Sequence, residues 1–307
     1  MLVVNNLTKK YGKFTAVNNL TFKVDEGSIF GFVGPNGAGK TSTLKVLATL
    51  LKPTSGRAWI AGEEVTEHPE RIRRLVGYMP DFFGVYDDLK VDEYLDFYAA
   101  SYRIPADYRK NIINDLLELV DLAHKKAAYV DTLSRGMKQR LCLARCLVHE
   151  PALLILDEPA SGLDPRARVE IREILRELKA MGKTIIVSSH ILHELSEICT
   201  HMGIIEAGEM VITGTVDEIM NQSRVGDSIE IRVLSKAEEA LSLIQGSGLN
   251  GIITGDNVLQ VAFEGTEEAQ SNLLAGLVQN DIPVSSFAAS KSNLEEIFMR
   301  VTKGVVR

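Results

Sequence analysis

Two short stretches carry residue types suited to handling phosphates. The first is G-P-N-G-A-G-K-T at 34–41. It fits G-x-x-x-x-G-K followed by Ser or Thr, and it directly follows the apolar run I-F-G-F-V at 29–33. Gly34, Gly37 and Gly39 carry no Cβ, so backbone N–H groups can converge on phosphate oxygens. A helix is expected over T-S-T-L-K-V-L-A-T-L, and its N-terminus adds a positive dipole end. Pro35, Asn36, Ala38 and Ser42 complete this loop and first turn, the expected ATP-binding segment. Lys40 is placed to pair with the β- and γ-phosphates, and the Thr41 hydroxyl to bind Mg2+. The second stretch is L-L-I-L-D-E-P at 153–159. Asp157 is the expected Mg2+-side carboxylate, and Glu158 stands where it can polarise an attacking water. Two adjacent acids after a buried apolar strand are costly unless a cation or substrate uses them. A further acid, Asp81 in Y-M-P-D-F-F, reads as either a solvated loop carboxylate or part of the reaction centre.

These groups need a scaffold, and the flanking pattern predicts one. The runs I-F-G-F-V, A-L-L-I-L (152–156) and T-I-I-V-S (184–188) are short, continuous and apolar. Such runs suit strands buried on both faces of a parallel sheet. Between them lies a helix-rich insert, about 87–147, with D-E-Y-L-D-F-Y-A-A and N-I-I-N-D-L-L-E-L-V. Asp87 and Asp88 are expected at the start of its first helix, where acids suit the dipole. The polar stretch 221–228 reads as a linker. Beyond it, Ile229, Ile231 and Val233 alternate with Glu230 and Arg232, as Leu259, Val261 and Phe263 do with their neighbours, so strands with one wet face are expected. A last helix is expected from a capping box at Ser292 and Glu295, with Leu294, Ile297, Phe298 and Val301 on one face. The expected organisation is an α/β domain at 1–222 and a small α+β domain of β-α-β-β-α-β order at 228–307.

Composition narrows the function classes. The chain of 307 residues is 45% hydrophobic and 24% charged, ordinary for a soluble protein. A net charge of −7 argues against a nucleic-acid partner. Cys142, Cys146 and Cys199 show no paired spacing, and reduced thiols in a cytosolic protein are expected. No apolar stretch reaches the roughly 18–20 residues of a membrane helix, and the N-terminus lacks a signal peptide's apolar region.

Loop, acid pair and spacing together resemble the ATP-binding cassette (ABC) ATPases over residues 1–220. The resemblance implies a P-loop cassette with a parallel core sheet, an antiparallel β subdomain and a helical subdomain. It implies that Tyr11 stacks on adenine and that Val17, in the same K-Y-G-K-F-T-A-V, belongs to the ATP site. S-G-L-D, with Ser161 and Asp164, matches the D-loop, and His190 in S-S-H-I-L matches the switch histidine near the γ-phosphate. L-S-R-G-M-K-Q-R at 133–140 matches the family signature L-S-G-G-Q with Arg135 for the first glycine and Met137 for the glutamine. Ser134 and Gly136 remain. Ser134 is also a good helix cap, with Met137, Leu141, Ala144 and Val148 along one face. In the family this helix end faces the γ-phosphate of a second subunit, so a homodimer is implied. Arg135 either adds a cation to that contact or points to solvent.

Asp81 falls where the family's Q-loop offers a glutamine. Its charge is favourable near Mg2+ and repelled by a bare γ-phosphate, so it is expected to engage the metal, directly or through water, only when the loop is closed, and Phe82, Phe83 and Tyr86 are expected as an apolar socket for a membrane permease. The last 80 residues resemble an appendage of export-type ABC subunits, through L-E-E-I-F-M at 294–299. The expectation is thus an ATP-hydrolysing export subunit, peripheral on the cytoplasmic face of the membrane through its permease. Two other readings are a soluble ABC ATPase acting on DNA or ribosomes and an inactive interaction module. Long heptads and a second phosphate loop, which the soluble kinds need, are missing, and the intact Lys40, Asp157, Glu158 and His190 argue against the inactive module.

Overall fold

The computed structural model describes the chain except for residues 83, 85, 87, 223–227, 264, 291–297, 299–301 and 303–307. In chain order the elements are β1 (Leu2–Tyr11), β2 (Phe14–Val24), β3 (Ile29–Val33), α1 (Lys40–Leu47), β4 (Ser55–Ile60), β5 (Glu63–Glu64), α2 (Pro69–Leu75) and β6 (Val76–Met79). The helical insert follows as α3 (Val91–Ser101), α4 (Ala106–Leu119) and α5 (Arg135–Leu147). Then come β7 (Leu153–Asp157), α6 (Pro165–Ala180), β8 (Thr184–Ser189), α7 (Leu192–Ser196), β9 (His201–Glu206), β10 (Glu209–Thr215) and α8 (Val216–Gln222). The last set is β11 (Ser228–Val233), α9 (Ala237–Gly246), β12 (Asn250–Gly255), β13 (Val258–Ala262), α10 (Glu267–Gln279) and β14 (Val284–Ser290). The chain divides into two compact units between Val216 and Asp217, at the start of α8.

In the first unit the three apolar runs become β3, β7 and β8, buried at every position. They lie in a six-stranded sheet of order β10-β9-β3-β8-β7-β6, parallel except for the edge strand β10. Continuous apolarity is what this position demands, because helices cover both faces of such a sheet. Helix α6 covers it with Ala167, Ile171, Ile174, Leu175 and Leu178, spaced for one helix face. Each fully buried Leu or Ile there contributes about 1.5–3 kcal/mol. A second, antiparallel sheet has the order β2-β1-β4-β5. Phe22 of that sheet stacks on Phe30 and Phe32 of β3 at 5.2 and 5.6 Å, joining the two sheets in one core.

The helix after the phosphate loop is shorter than the sequence suggests. It ends at Leu47, and Thr49 takes φ +63°. The insert's first helix also starts later than Asp88. Its first-turn acids are Asp92 and Glu93, and Glu93 accepts the N–H of Lys90 at 2.9 Å. That cap from the Glu93 carboxylate fixes the start at Val91 and leaves Asp88 in the preceding turn. Asp87 and Phe83 lie outside the described residues.

The second unit carries the antiparallel order β12-β13-β11-β14, with α9 after β11 and α10 after β13. This is the expected β-α-β-β-α-β order. Ile229, Ile231, Val233, Leu259, Val261 and Phe263 form its core with Ala240, Ile244, Leu277 and Ile282. The capping box at 292 and 295, and most of the expected last helix, lie outside the described residues. No helix among the described residues is long and apolar enough to cross a membrane.

Candidate functional site

Strands β3, β7 and β8 are parallel neighbours, so their carboxyl ends lie side by side, and ligands bind at such ends in open α/β sheets. The phosphate loop leaves β3, Asp157 ends β7, and His190 follows β8 directly. Within the loop, a Cβ on Gly34 would stand 2.3 Å from the carbonyl oxygen of Ile205. Gly39 takes φ +103°, and a Cβ there would stand 2.4 Å from the carbonyl oxygen of Ala16. Both positions therefore require glycine, and the loop is pinned against β9 and β2. Asn36 and Gly37 are exposed at its crest, Pro35 is half-buried, and Ala38 packs into the core. Thr41 is exposed at the start of α1, and Ser42 is half-buried beside it.

Lys40 is buried, and its Nζ donates to the carbonyls of Gly34 at 2.6 Å and Pro35 at 3.3 Å. The same nitrogen lies 3.4 Å from Glu158 Oε1, an ionic contact without hydrogen-bond geometry. Glu158 Oε2 meets His190 Nδ1 at 2.9 Å. One carboxylate thus bridges the phosphate-loop lysine and the histidine. Glu158 also takes φ +50°, a conformation few non-glycine residues adopt. The N–H of Glu158 donates to Ser188 Oγ at 3.0 Å.

Asp157 has no exposed surface. Its Oδ1 accepts from Ser188 Oγ at 2.7 Å, while Oδ2 has no hydrogen-bond partner among the described residues. Burial pushes its carboxyl pKa up, the hydroxyls of Ser188 and Thr41 oppose that, and the charges of Asp81 and Glu158 add to it. Asp81 is thus near enough for its charge to be felt at Asp157, although it is itself exposed. Among the described residues no three His, Cys, Asp or Glu side chains are clustered to hold a metal by themselves.

Tyr11 ends β1 and is half-exposed, with its Oη 3.4 Å from Ser42 Oγ and Lys9 Nζ 5.1 Å from the ring centroid. Its ring thus flanks the loop. Val17, the other residue expected at the ATP site, sits on β2 directly behind the phosphate loop. It has no exposed surface and packs in the core behind Gly39.

The signature segment lies at the start of α5. Ser134 caps that helix, accepting the N–H of Met137 at 3.2 Å. Leu141, Ala144 and Val148 are buried along one face, with Met137 half-buried. Gly136 approaches α6, where a Cβ would stand 3.1 Å from Ala167 Cβ. Arg135 is exposed, and it is tied to its own chain. Its Nη2 donates to the carbonyl of Ser161 at 3.1 Å, on the turn before α6. Asp164 ends that turn and caps α6, accepting the N–H of Ala167 at 3.0 Å.

Two residues at the centre escaped sequence reasoning. Ser188 joins Asp157 to Glu158, and Tyr78 lies close enough to Asp157 and Asp81 that their charges, after burial, raise its pKa. Neither belongs to a spacing pattern. The remaining histidines stand elsewhere, His149 stacking on Tyr102 at 3.8 Å with its Nε2 3.1 Å from the Val76 carbonyl.

Fold and site together define a P-loop ATPase built as a cassette. The family model described as ABC transporter matches residues 17–161, and that of the ATP-binding protein DrrA1-3-like, C-terminal domain, matches 214–302. The bacitracin transport ATP-binding protein BcrA of Bacillus licheniformis is 35% identical over 99% of this chain and 98% of its own. The Nod factor export ATP-binding protein I of Ralstonia nicotianae is 33% identical over 98% of this chain and 94% of its own. Among solved structures, a dimeric, post-hydrolysis state of the ATP-binding cassette MJ0796, bound to ADP and Pi, superposes with a TM-score of 0.64. It is 25% identical, covering 70% of this chain and 99% of that one. The chain belongs to the ATP-binding proteins of ABC transporters, and it is an ATP-binding, ATP-hydrolysing subunit.

Proposed function

We propose that this chain energises export through a separate membrane permease, and the Ralstonia relative, named a Nod factor export ATP-binding protein, supports the export part of that reading. The observation that supports it most is the meeting of Lys40, Asp157, Glu158 and His190 at the ends of three adjacent parallel strands. Phosphoryl transfer needs positioning and charge neutralisation, and these groups offer both. Residues 34–42 cradle the phosphates of ATP, and Tyr11 stacks on the base. Lys40 turns from the loop carbonyls to the β- and γ-phosphates. Glu158 orients the attacking water, and His190 holds Glu158 and stabilises the transferred charge. A buried acid with one unpartnered oxygen suits a divalent cation, and Mg2+ is commonly held by one or two carboxylates plus phosphates. Asp157 and Thr41 would hold it, with Asp81 in reach, and it would neutralise phosphate charge.

Ser134, Arg135 and Gly136 belong to the composite site of a homodimer, where Ser134 and Gly136 face the partner's γ-phosphate. Ser161 and Asp164 lie on the D-loop between the two sites. Phe82 and Tyr86 are exposed beside Asp81, with Tyr86 edge-on to Phe97 at 5.4 Å, an apolar surface for the permease. The complex would lie on the cytoplasmic face. Relatives that span the whole chain disfavour a DNA- or ribosome-acting ATPase.

The test is ATP turnover by the full-length chain with Mg2+ and with a chelator, beside recovery of a tagged chain from membranes. Metal-dependent turnover and a co-purifying polytopic membrane protein support the reading. Turnover that ignores the chelator, or recovery with ribosomes or nucleic acid instead, overturns it.

A further inference from the structure

Arg135 stands where the family signature has a glycine, and its guanidinium is committed within its own chain. Nη2 donates to the Ser161 carbonyl at 3.1 Å. The guanidinium also lies over Gly162, where a Cβ would stand 2.5–2.8 Å from Nη2, Cζ and Nη1. Gly162 takes φ +65°, so this turn both needs glycine for its backbone and leaves the space Arg135 fills. A glycine at 135 could make neither contact.

The other side of Ser161 leads to the reaction centre. Its N–H donates to the carbonyl of Glu158 at 3.0 Å. Glu158 in turn meets Lys40 and His190. One unbroken path thus runs from the start of α5, through Arg135 and Ser161, to Glu158. A second arginine holds the same turn further along. Arg168 donates to the Leu163 carbonyl at 2.9 Å and pairs with Glu194 at 2.8 Å. The turn is not packed solid, since a cavity of about 130 Å3 lies among Glu158–Gly162 and Ser188–Ile191. It has room to shift while both arginines keep hold.

We infer that Arg135 is a positioning residue that couples the two ATP sites of the dimer. The inference rests on the composite-site reading above. Nucleotide held by the partner touches Ser134 and Gly136, the residues on either side of Arg135. Any resulting movement of the start of α5 then shifts Ser161, and with it the backbone that holds Glu158 in its unusual conformation. Occupancy of one site thereby sets the catalytic acid of the other. A chain with glycine at 135 loses this link while Ser134, Gly136, Glu158 and the phosphate loop keep their places.

The test compares the full-length wild type with Arg135→Gly and Arg135→Lys. Hydrolysis is measured across ATP concentration, and melting temperature checks folding. The wild type should be cooperative, with a Hill coefficient above one and bounded by the two sites. Arg135→Gly should fall to a Hill coefficient of about one while still melting in a single transition, only slightly lowered by the lost hydrogen bond. Arg135→Lys, which keeps a donor long enough to reach Ser161, should recover part of the cooperativity. Equal Hill coefficients in wild type and Arg135→Gly overturn the inference, as does a non-cooperative wild type. A separate arm uses Glu158→Gln and ATP in a sizing experiment. If that protein stays monomeric, the composite-site reading itself fails. If it dimerises and Arg135→Gly stays cooperative, only the coupling role fails.

Discussion

Ser188 donates a 2.7 Å hydrogen bond to Asp157 Oδ1 and accepts the N–H of Glu158 at 3.0 Å. A single fully buried hydroxyl thus holds one acid's side chain and the next acid's backbone. Hydrogen bonds to charged groups contribute about 1.5–3 kcal/mol, and each 1.36 kcal/mol of barrier is tenfold in rate. Ser188→Ala should therefore lower kcat by about 10–100-fold while KM for ATP changes little. Steady-state kinetics checks this, and an unchanged kcat removes the positioning role.

Asp157 carries a stability penalty that its function explains. Burial raises its pKa above the ordinary 3.8. Between that value and the raised one, the folded chain holds a proton that the unfolded chain has released. Stability therefore falls as pH rises across that window, and the full penalty is present at neutral pH. Asp157→Asn removes the charge and keeps an oxygen for Ser188. The variant should melt higher than wild type at neutral pH without nucleotide or metal, converge with it in acid, and lose hydrolysis. A lower melting temperature at neutral pH counts against the penalty.

Tyr11 offers an exposed ring beside the loop, and its Oη contact to Ser42 is long at 3.4 Å. The ring rather than the hydroxyl should carry the binding. Base–aromatic stacking contributes about 1–3 kcal/mol, so Tyr11→Ala should raise KM for ATP by roughly tenfold or more with kcat kept. Tyr11→Phe should stay near wild type. A large loss in Tyr11→Phe instead points to the hydroxyl.

Asp81 adds negative charge beside Asp157. That charge is unfavourable between acids and favourable once a cation is shared. Asp81→Asn should raise the Mg2+ concentration for half-maximal hydrolysis by about tenfold, the lower end for losing a supporting group at a metal. Mg2+ titration at saturating ATP measures it, and an unshifted midpoint makes Asp81 an ordinary solvated acid.

What could be read from the sequence was local. The phosphate loop, the acid pair and the three buried strands are each set by neighbours in the chain, so glycine spacing and apolar runs reveal them. The alternation at 229–233 reveals the second unit's core strand in the same way. Ser188 was invisible because its bond to Asp157 depends on strand register between residues 31 apart, Asp157 pairing with Ser188 across β7 and β8. Arg135 shows the same limit. Its type flagged a departure from the family pattern, but only the fold brings Gly162 under its guanidinium. The helix start after Asp88 was misplaced because the Lys90–Glu93 cap outweighs a simple count of acids.

The central claim is that Glu158, held between Lys40 and His190, drives ATP hydrolysis. The most direct measurement is ATP turnover by the full-length chain beside its Glu158→Gln variant, with ATP binding measured on both. General acid–base catalysis contributes about 100–10,000-fold, so the variant should bind ATP as tightly as wild type and turn it over at least about 100-fold more slowly. Equal turnover by the two proteins would contradict the account.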